Sequence, residues 1–185
     1  EVFGTFLVKS SLPLKRVGDG ASNFLKPIAS FRYSPNNTKN ISNKDYRISY
    51  DNIFSLNRIG TNEIVEGGKS ISLGIEYENR DENDKKVISL SLANSISDRK
   101  NENLPLKSKL NEERTDLVGK FSFYPSPIIN FDYNFSYDNN LKNSNYDSFS
   151  AKINYGKFSS NLNFLSACLN SSSDCFFWIT FIFLH

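Results

Sequence analysis

The stretch IINFDYNFSYD, residues 128–138, alternates between apolar and polar side chains. Isoleucine, phenylalanine and tyrosine occupy the odd positions from Ile129 to Tyr137, and small polar residues occupy the even positions. Successive side chains of a β-strand point to opposite faces of the sheet, so this pattern predicts a strand with one aromatic face and one wet face. In a soluble sandwich the apolar face would pack on a second sheet. In an outer-membrane barrel it would contact lipid, and the polar face would line the lumen.

The same alternation recurs along the chain and predicts about eight strands of a length that crosses a bilayer when tilted. We expect them at residues 2–14, 24–34, 69–79, 88–93, 117–124, 128–138, 148–155 and 158–164. The connections are long after Ser34 and Asn94 but short after Asn79, Tyr124 and Gly156. Short turns at one rim and long loops at the other are typical of outer-membrane barrels. The sequence therefore predicts an all-β, antiparallel up-and-down transmembrane β-barrel segment, present as a curved open sheet if the chain is isolated.

Composition excludes several other classes. The net charge of +2 is too small to indicate nucleic-acid binding. The only histidine is His185, and the two cysteines, Cys168 and Cys175, have no partners at zinc-ligand spacing, so we predict no metal and no other cofactor. No apolar run before the C-terminus approaches the ~20 residues of a membrane-spanning helix. No constellation of nucleophile, base or metal ligands predicts an enzyme.

Several segments resemble, in the right order, the C-terminal barrel of the LPS-assembly protein family LptD, also called OstA. They are LKPIASFRYSP (25–35), DNIFSLNRIG (51–60), VEGG (65–68), GIEY (74–77) and RTDLVGKFSFYPSP (114–127). The resemblance covers roughly residues 4–164. It implies an outer-membrane protein that passes lipopolysaccharide from a periplasmic bridge protein to the cell surface, with a lipoprotein plug (LptE) inside its barrel. No catalytic residues carry over, and the family's disulfide cysteines are not matched by Cys168 or Cys175.

The resemblance also suggests site residues. A loop containing Asn52, Phe54, Asn57, Arg58 and Gly60 is expected either to fold into the barrel mouth and contact the plug or substrate, or to be a surface loop held by local hydrogen bonds. Strand parity assigns two further sets. The lumen-facing residues are Asn130, Asp132, Asn134, Ser136 and Asp138, and the lipid-facing residues are Ile71, Leu73, Ile75, Phe131, Tyr133 and Phe135.

Comparison of the two ends of the chain with the family predicts that the chain is a fragment of a longer protein. The family's periplasmic jellyroll and its first and last barrel strands have no counterpart here, so we expect an internal piece of a longer protein. We divide the chain into a partial barrel domain, residues 1–164, and an atypical tail, residues 165–185. For the tail, a non-native end and one further aromatic strand both remain open. The alternative functions are another outer-membrane barrel, porin-like or small and eight-stranded, and a soluble β-sandwich binding module.

Overall fold

The computed structural model describes residues 4–18, 20–35, 37–59, 66–156, 158–168 and 175–184. In these ranges ten strands form one antiparallel sheet whose order in space follows the chain. The strands are β1 (Phe6–Ser11), β2 (Leu14–Gly18), β3 (Ala21–Ser34), β4 (Gly68–Asp81), β5 (Lys86–Ser97), β6 (Leu117–Ser126), β7 (Ile129–Tyr137), β8 (Ser144–Tyr155), β9 (Phe158–Cys168) and β10 (Cys175–Leu184). The sheet is open, with β1 and β2 along one edge and β10 along the other. The predicted all-β, antiparallel, open-sheet fold is confirmed, with ten strands rather than about eight.

The first predicted strand was wrong in its bounds. Residues 2–14 were expected as one strand, with residues 15–23 as a connection, but the structure has two strands that both pair with β3. Ser11 lies opposite Ile28 and Leu14 opposite Leu25, so the register is the same on both sides of the gap. The gap falls at Pro13, which has no backbone N–H to donate to the ladder.

The two rims of the sheet differ in their connections. Short connections join β4 to β5, β6 to β7 and β8 to β9 at one rim, which we call the turn rim. The connections from β3 to β4, from β5 to β6 and from β7 to β8 begin and end at the opposite rim, which we call the loop rim. Apart from the three-residue 3-10 helix Lys107–Lys109, the described connections are irregular. Helical structure in the described ranges is nowhere of the length and hydropathy that a membrane-spanning helix needs.

The two faces of the sheet differ in what covers them. One face, which we call the apolar face, leaves large hydrophobic side chains of β1 to β5 exposed to solvent: Phe6, Val8, Leu14, Leu25, Phe31, Tyr33, Ile71, Leu73, Ile75 and Ile96. The other, which we call the loop face, carries small polar residues and is covered by the two long connections. Ser72 and Ser95 on this face are 3% and 0% exposed. The chain thus buries the polar loop face of its sheet and leaves the apolar face exposed.

The hydrophobic core lies between the loop face and the loops. It is formed by Ile41, Ile48, Ile53, Phe54 and Ile59 of the first long connection, Leu104 and Leu110 of the second, and Ile28, Ala93 and Val118 of the strands. Most of its apolar residues therefore come from connections that looked polar in sequence. Sparse isoleucines and leucines between asparagines and lysines are enough to hold each loop against the sheet.

Residues 175–184, in the predicted tail, form β10, which pairs with β9 along its whole length, from Cys175 opposite Cys168 to Leu184 opposite Ser159. The boundary placed at residue 164 falls inside β9. The division into a barrel domain and a tail remains a prediction.

Candidate functional site: the loop face and its buried ion cluster

A buried ion cluster fixes the first long connection to the sheet. Arg58, from the connection, donates from Nε to Oε2 of Glu66 at 3.0 Å and makes a second contact from Nη2 to Oε1 of the same carboxylate. Its remaining nitrogen, Nη1, donates to Oγ of Ser95 on β5 at 2.6 Å. The side chains of Arg58 and Glu66 are 1% and 4% exposed. A forked guanidinium–carboxylate pair of this kind has a fixed geometry, so it positions both partners.

A second arginine joins the cluster from the sheet. Arg32 of β3 donates from Nη2 to the backbone oxygen of Glu66 at 2.6 Å and from Nε to that of Leu56 at 3.0 Å. Its Nη1 lies 3.8 Å from Oε2 of Glu66. Among the described residues, Glu66 is the carboxylate that contacts both buried guanidinium groups. Together the two arginines link residues 56–58 and residue 66 to the sheet. Removing one partner of a buried pair leaves an uncompensated charge, which costs about 3–5 kcal/mol. We call Arg32, Arg58, Glu66 and Ser95 the loop clamp.

Strand parity explains why the clamp can form. Ser30, Arg32 and Ser34 share the loop face of β3, and Ser72 of β4 lies beside Ser95 there, with 3.0 Å between their hydroxyl oxygens. Ser72 also donates to the backbone oxygen of Ile53 at 3.3 Å. Small hydroxyl side chains leave room for the guanidinium groups and satisfy the buried backbone of the loop. Arg32, Glu66 and Ser95 were not predicted as site residues from the sequence. The one signal there was an arginine on the polar side of a predicted strand.

The predicted loop residues lie on the loop face, and most of those described are used within the chain. Asn52 accepts from the N–H of Ser49 and donates to the oxygen of Arg47, both at 2.9 Å, and so holds a local turn. Phe54 is 7% exposed. Arg58 belongs to the loop clamp, Asn57 is exposed, and Gly60 lies outside the described residues. Contact of these residues with a plug or substrate remains a prediction. Of the described residues in this set, Asn57 is the one exposed to solvent, so it can make such a contact without rearrangement of the loop.

Gly74 makes room for Phe54 on the sheet. A Cβ at Gly74 would lie 2.6 Å from Cζ of Phe54 and 2.8 Å from the backbone oxygen of Leu92, both closer than real contacts. On the other side of Phe54, the Nζ of Lys9 lies 5.1 Å from the ring centroid. The phenylalanine is therefore held between β1 and the glycine of β4. In sequence, this glycine looked only like a small residue on the wet face.

The second long connection ends in a buried carboxylate. Asp116, which is 0% exposed, accepts hydrogen bonds on Oδ2 from Ser136 at 3.1 Å and from Asn145 at 2.7 Å. Its other oxygen, Oδ1, has no partner in the described residues. Burial raises the pKa of Asp116, and the two hydrogen bonds oppose this only in part. A few residues away the ammonium of Lys109 lies 2.9 Å from Asp138 and holds the pKa of that carboxyl below its usual value.

The residues predicted to face the lumen are on the side of the sheet that the loops approach. Asp132 accepts from the hydroxyl of Ser122 at 2.6 Å, and Ser136, 2% exposed, contacts Asp116. Asp138 follows β7 and pairs with Lys109. Asn130 and Asn134 are partly exposed. The arrangement is that of a polar surface, but whether it faces a lumen remains a prediction.

A charged cavity of about 440 Å³ lies on the loop face toward the turn rim. Its lining includes Lys26, Glu76, Glu78, Arg80, Lys86, Lys120, Tyr50 and Tyr124. The charges form partly exposed pairs, with 2.9 Å between Lys26 and Glu76 and 2.6 Å between Lys86 and Glu78. Tyr50, from the loop, donates to Glu76 at 2.8 Å, and its partial burial together with that carboxylate raises the pKa of Tyr50. Because these pairs are partly solvated, each contributes little to stability, and the cavity stays polar and wet.

The residues predicted to contact lipid fall into two groups. Ile71, Leu73 and Ile75 are 49%, 53% and 38% exposed on the apolar face. Phe131, Tyr133 and Phe135 are partly buried by other aromatic rings of the same face. Phe131 stacks between Phe123 and Phe149, with ring centroids 6.3 and 6.1 Å away, and the ring of Phe135 lies on Gly119, where a Cβ would collide with it. These groups lie on the same face of the sheet, and their contact with acyl chains remains a prediction.

An antiparallel up-and-down sheet with an uncovered apolar face, a polar face filled by loops, and loops and turns sorted to opposite rims has the architecture of an outer-membrane β-barrel wall. The family model for LptD, LPS transport system D, matches residues 1–173. Because the match covers most of the chain, this protein belongs to the LptD family. No curated protein matches it. The family has a role in lipopolysaccharide transport and assembly at the outer membrane and is a transport protein, not known as an enzyme.

Proposed function

We propose that this chain forms part of the barrel wall and extracellular loops of the outer-membrane translocon that delivers lipopolysaccharide to the cell surface. The observation that carries the proposal is the inverted burial of the sheet. Leu73 and Ile71 are about half exposed while the serines beside them on the same strand, Ser70 and Ser72, are 5% and 3% exposed. A soluble sandwich would bury the leucine and expose the serines. In a bilayer the same arrangement is favourable, since acyl chains cover the apolar face.

The loops would then act as a cap on the interior. The first and second long connections, residues 37–59 and 98–116, pack on the loop face near the loop rim and leave the charged cavity open toward the turn rim. In the proposed orientation the loop rim is extracellular and the turn rim periplasmic. The wall would present a wet, charged surface to saccharide and phosphate groups that enter from the periplasmic side.

The partners follow from the family and from this orientation. Lipopolysaccharide would pass along the polar surface, and an LptE-like lipoprotein plug would occupy the interior beside it. The periplasmic bridge protein of the lipopolysaccharide transport system would deliver lipopolysaccharide to this wall from the periplasmic side. Residues 1–164 would form a partial barrel domain. Residues 165–185 would be an atypical tail, either a non-native end or one further strand, and the pairing of β10 with β9 supports the further strand.

Site-specific photocross-linking tests the proposal with two neighbouring residues. Lys120 and Phe121 are adjacent on β6, but Lys120 lines the cavity and Phe121 belongs to the apolar face. A photoreactive phenylalanine analogue would replace each in turn, in cells that make the whole protein containing this segment. We expect the analogue at Lys120 to cross-link to lipopolysaccharide only while the periplasmic bridge protein is present. The analogue at Phe121 should contact membrane lipid whether or not the bridge is depleted.

Two outcomes would contradict the proposal. No cross-link at Lys120 under active transport would show that lipopolysaccharide does not pass this surface. A cross-link at Lys120 that persists after depletion of the bridge would show a static lipid contact rather than a transport route. In either case the wall would belong to a barrel with another cargo.

A further inference from the structure

A polar cluster ends the apolar surface near the loop-rim end of β8. Asp147 lies directly opposite Phe135 of β7 and so shares the apolar face. Its carboxylate accepts hydrogen bonds from the hydroxyls of Tyr133 and Ser144, and the hydroxyl oxygens of Tyr133 and Tyr137 are 3.3 Å apart. A charged group on a lipid-facing surface is costly at mid-bilayer depth and is tolerated near the headgroups. On β8 the apolar side chains therefore reach toward the loop rim only as far as Asp147.

On β4 the apolar side chains end at different levels. Toward the loop rim they end at Lys69, whose Nζ lies 5.9 Å from the ring centroid of Tyr33 on β3. Toward the turn rim they end at Asn79. Nδ2 of Asn79 and the hydroxyl of Tyr77 both donate to the side-chain oxygen of Asn23, at 3.0 and 2.8 Å. Ten residues separate Lys69 from Asn79, which is about 34 Å of strand. We call the region of the apolar face between these polar limits the apolar band.

Rows of directly opposite residues cross the sheet, and the limits of the apolar band do not follow them. The row through Asp147 crosses β7, β6 and β5 and reaches β4 at Ile75, in the middle of the band. The row through Asn79 crosses β5, β6 and β7 and reaches β8 at Ala151, again in the middle of the band. A row that leaves the band on one strand is therefore inside it four strands away. The apolar band runs obliquely to the rows.

We propose that a lipid bilayer crosses the apolar face obliquely. One headgroup boundary runs from Lys69 on β4 to Asp147 on β8, and the other runs from Asn79 on β4 to Tyr155 at the end of β8. The inference rests on the proposed membrane location and adds to it the depth of each strand. The polar clusters then lie at the headgroups of the two leaflets, where charged and tyrosine side chains are stable.

Asn94 lies on the apolar face between these boundaries, directly opposite Leu73. Its Nδ2 donates to the backbone oxygen of Thr115 at 2.7 Å. The amide is therefore satisfied by the protein and does not need water at that depth.

The offset between the rows and the boundaries gives the tilt of the strands. On β4, Lys69 lies six residues from Ile75, the residue in the row of Asp147, which is about 20 Å along the strand. Four strand spacings separate β4 from β8, or about 19 Å. The loop-rim boundary thus makes an angle of about 45° with the rows, and the four residues from Ala151 to Tyr155 give about 35° for the other. Strands of transmembrane barrels tilt by about 35–45°, and at this tilt the strand between the limits of β4 spans about 25 Å, the height of the apolar band of such barrels.

Depth-dependent fluorescence quenching tests the boundaries with two pairs of residues, each pair in one row. A fluorescent amino acid replaces Ile75 or Asp147, and Phe131 or Asn79, in the whole protein containing this segment, folded in phosphatidylcholine vesicles. The vesicles carry a nitroxide either on the headgroup or near the end of an acyl chain. At Ile75 and Phe131 we expect the acyl-chain nitroxide to quench at least about twofold more than the headgroup nitroxide. At Asp147 and Asn79 we expect the reverse.

Tyr77 and Phe149 give a second measurement in which one aromatic ring replaces another. They also share a row, but Tyr77 lies next to the turn-rim boundary and Phe149 next to the loop-rim boundary. The measurement uses vesicles in which a protease added outside cuts the loop-rim connections of every copy. A headgroup nitroxide confined to the outer leaflet should then quench the fluorophore at Phe149 and not the one at Tyr77. Every variant compared should run as a folded barrel in an unheated gel.

The outcomes separate this inference from the proposed function. Equal quenching within each row would overturn the oblique placement but leave the proposed function standing, because the face would still meet lipid. No quenching by either nitroxide at any of these positions would mean that another protein surface covers the apolar face. That result would overturn both.

Discussion

The loop-covered half of the sheet, β3 to β6, and the half from β7 to β9 have similar alternating sequences but different surroundings. In the first half, Ser72 and Ser95 are 3% and 0% exposed, because the two long connections pack on them. In the second half, Asn130 and Asn134 stay partly exposed and Lys152 is exposed, because the connections there are short. The polar face of a strand is therefore buried where a connection packs on it and exposed to solvent where none does. In the covered half, hydroxyl groups and a buried ion cluster satisfy the polar atoms that water satisfies in the other half.

The largest expected effect comes from removing the shared carboxylate of the loop clamp. Glu66→Gln leaves the guanidinium groups of Arg32 and Arg58 buried without a counter-charge, and should lower the free energy of unfolding by about 3–5 kcal/mol. The control is Glu112→Gln, which breaks a 2.6 Å pair with Lys100 on the surface and should have little effect on stability, because water screens that pair. Unfolding in detergent measures both, and proteolysis within residues 37–59 should increase only in Glu66→Gln. Equal effects would show that the loop clamp stabilises the fold no more than a surface ion pair does.

A charge on the apolar face of the uncovered half should have the next largest effect. Phe131→Arg should cost roughly 2–4 kcal/mol if that face meets lipid at mid-bilayer depth. Asn134→Arg, on the opposite face of the same strand, should be tolerated because water reaches it. The measurement is the free energy of folding into lipid vesicles. If the two variants lose the same stability, the faces do not differ in environment, and the membrane interpretation of the sheet is wrong.

A smaller effect is expected from adding a methyl group at Gly74, against which the Phe54 ring packs. The Cβ of Gly74→Ala would approach both the Phe54 ring and the backbone of β5, and overpacking of this kind costs about 1–3 kcal/mol. Gly4→Ala is the control, since nothing lies within 4 Å of its Cβ position. Denaturant unfolding of both variants would show how tightly the loop packs on the covered half. A neutral Gly74→Ala would mean that the loop rests on the sheet loosely.

The smallest effect is a pH dependence from the two carboxylates of the second connection. The pKa of Asp116 is raised by burial, so its contribution to stability falls as pH rises from its unfolded pKa through its folded pKa. The pKa of Asp138 is lowered by Lys109, so its contribution is present above its unfolded pKa and is lost as pH falls. Relative to the wild type, the free energy of unfolding of Asp116→Asn should therefore increase with rising pH. That of Asp138→Asn should decrease. Unfolding free energies of the three proteins from about pH 2 to pH 8 measure this, because Asp138 titrates below its unfolded pKa. The same sign for both variants would contradict the assignment of Asp116 as the buried carboxylate.

Much of the fold could be read from the sequence because strand alternation is local. Each predicted strand from residue 24 to residue 164 overlaps an observed one, and the period of two separates Leu73 from Ser72 without any knowledge of neighbours. The error lies at the start of the chain, where Pro13 splits the first predicted strand. The apolar run after residue 174 has no alternation, so the sequence left a further strand there open, and the structure has β10.

The candidate site was much less predictable. The loop residues were chosen by family resemblance, but of those described only Asn57 is exposed, and the partners that fix Arg58 were not foreseen. Glu66 lies eight residues from Arg58 and 34 from Arg32, and Ser95 lies 37 from Arg58. No local pattern joins groups at such separations. The pairing of β3, β4 and β5 brings them together.

The sequence by itself determined that this chain forms antiparallel strands with one apolar and one polar face, and that long and short connections alternate between the rims. These properties depend on side-chain alternation and turn residues, which act over a few positions. Only the tertiary structure decided that the long connections fold back over the polar face, bury the loop clamp there and leave the apolar face uncovered. That outcome depends on strand register and on contacts between distant residues, because a buried arginine is stable only where its carboxylate and hydroxyl partners meet it.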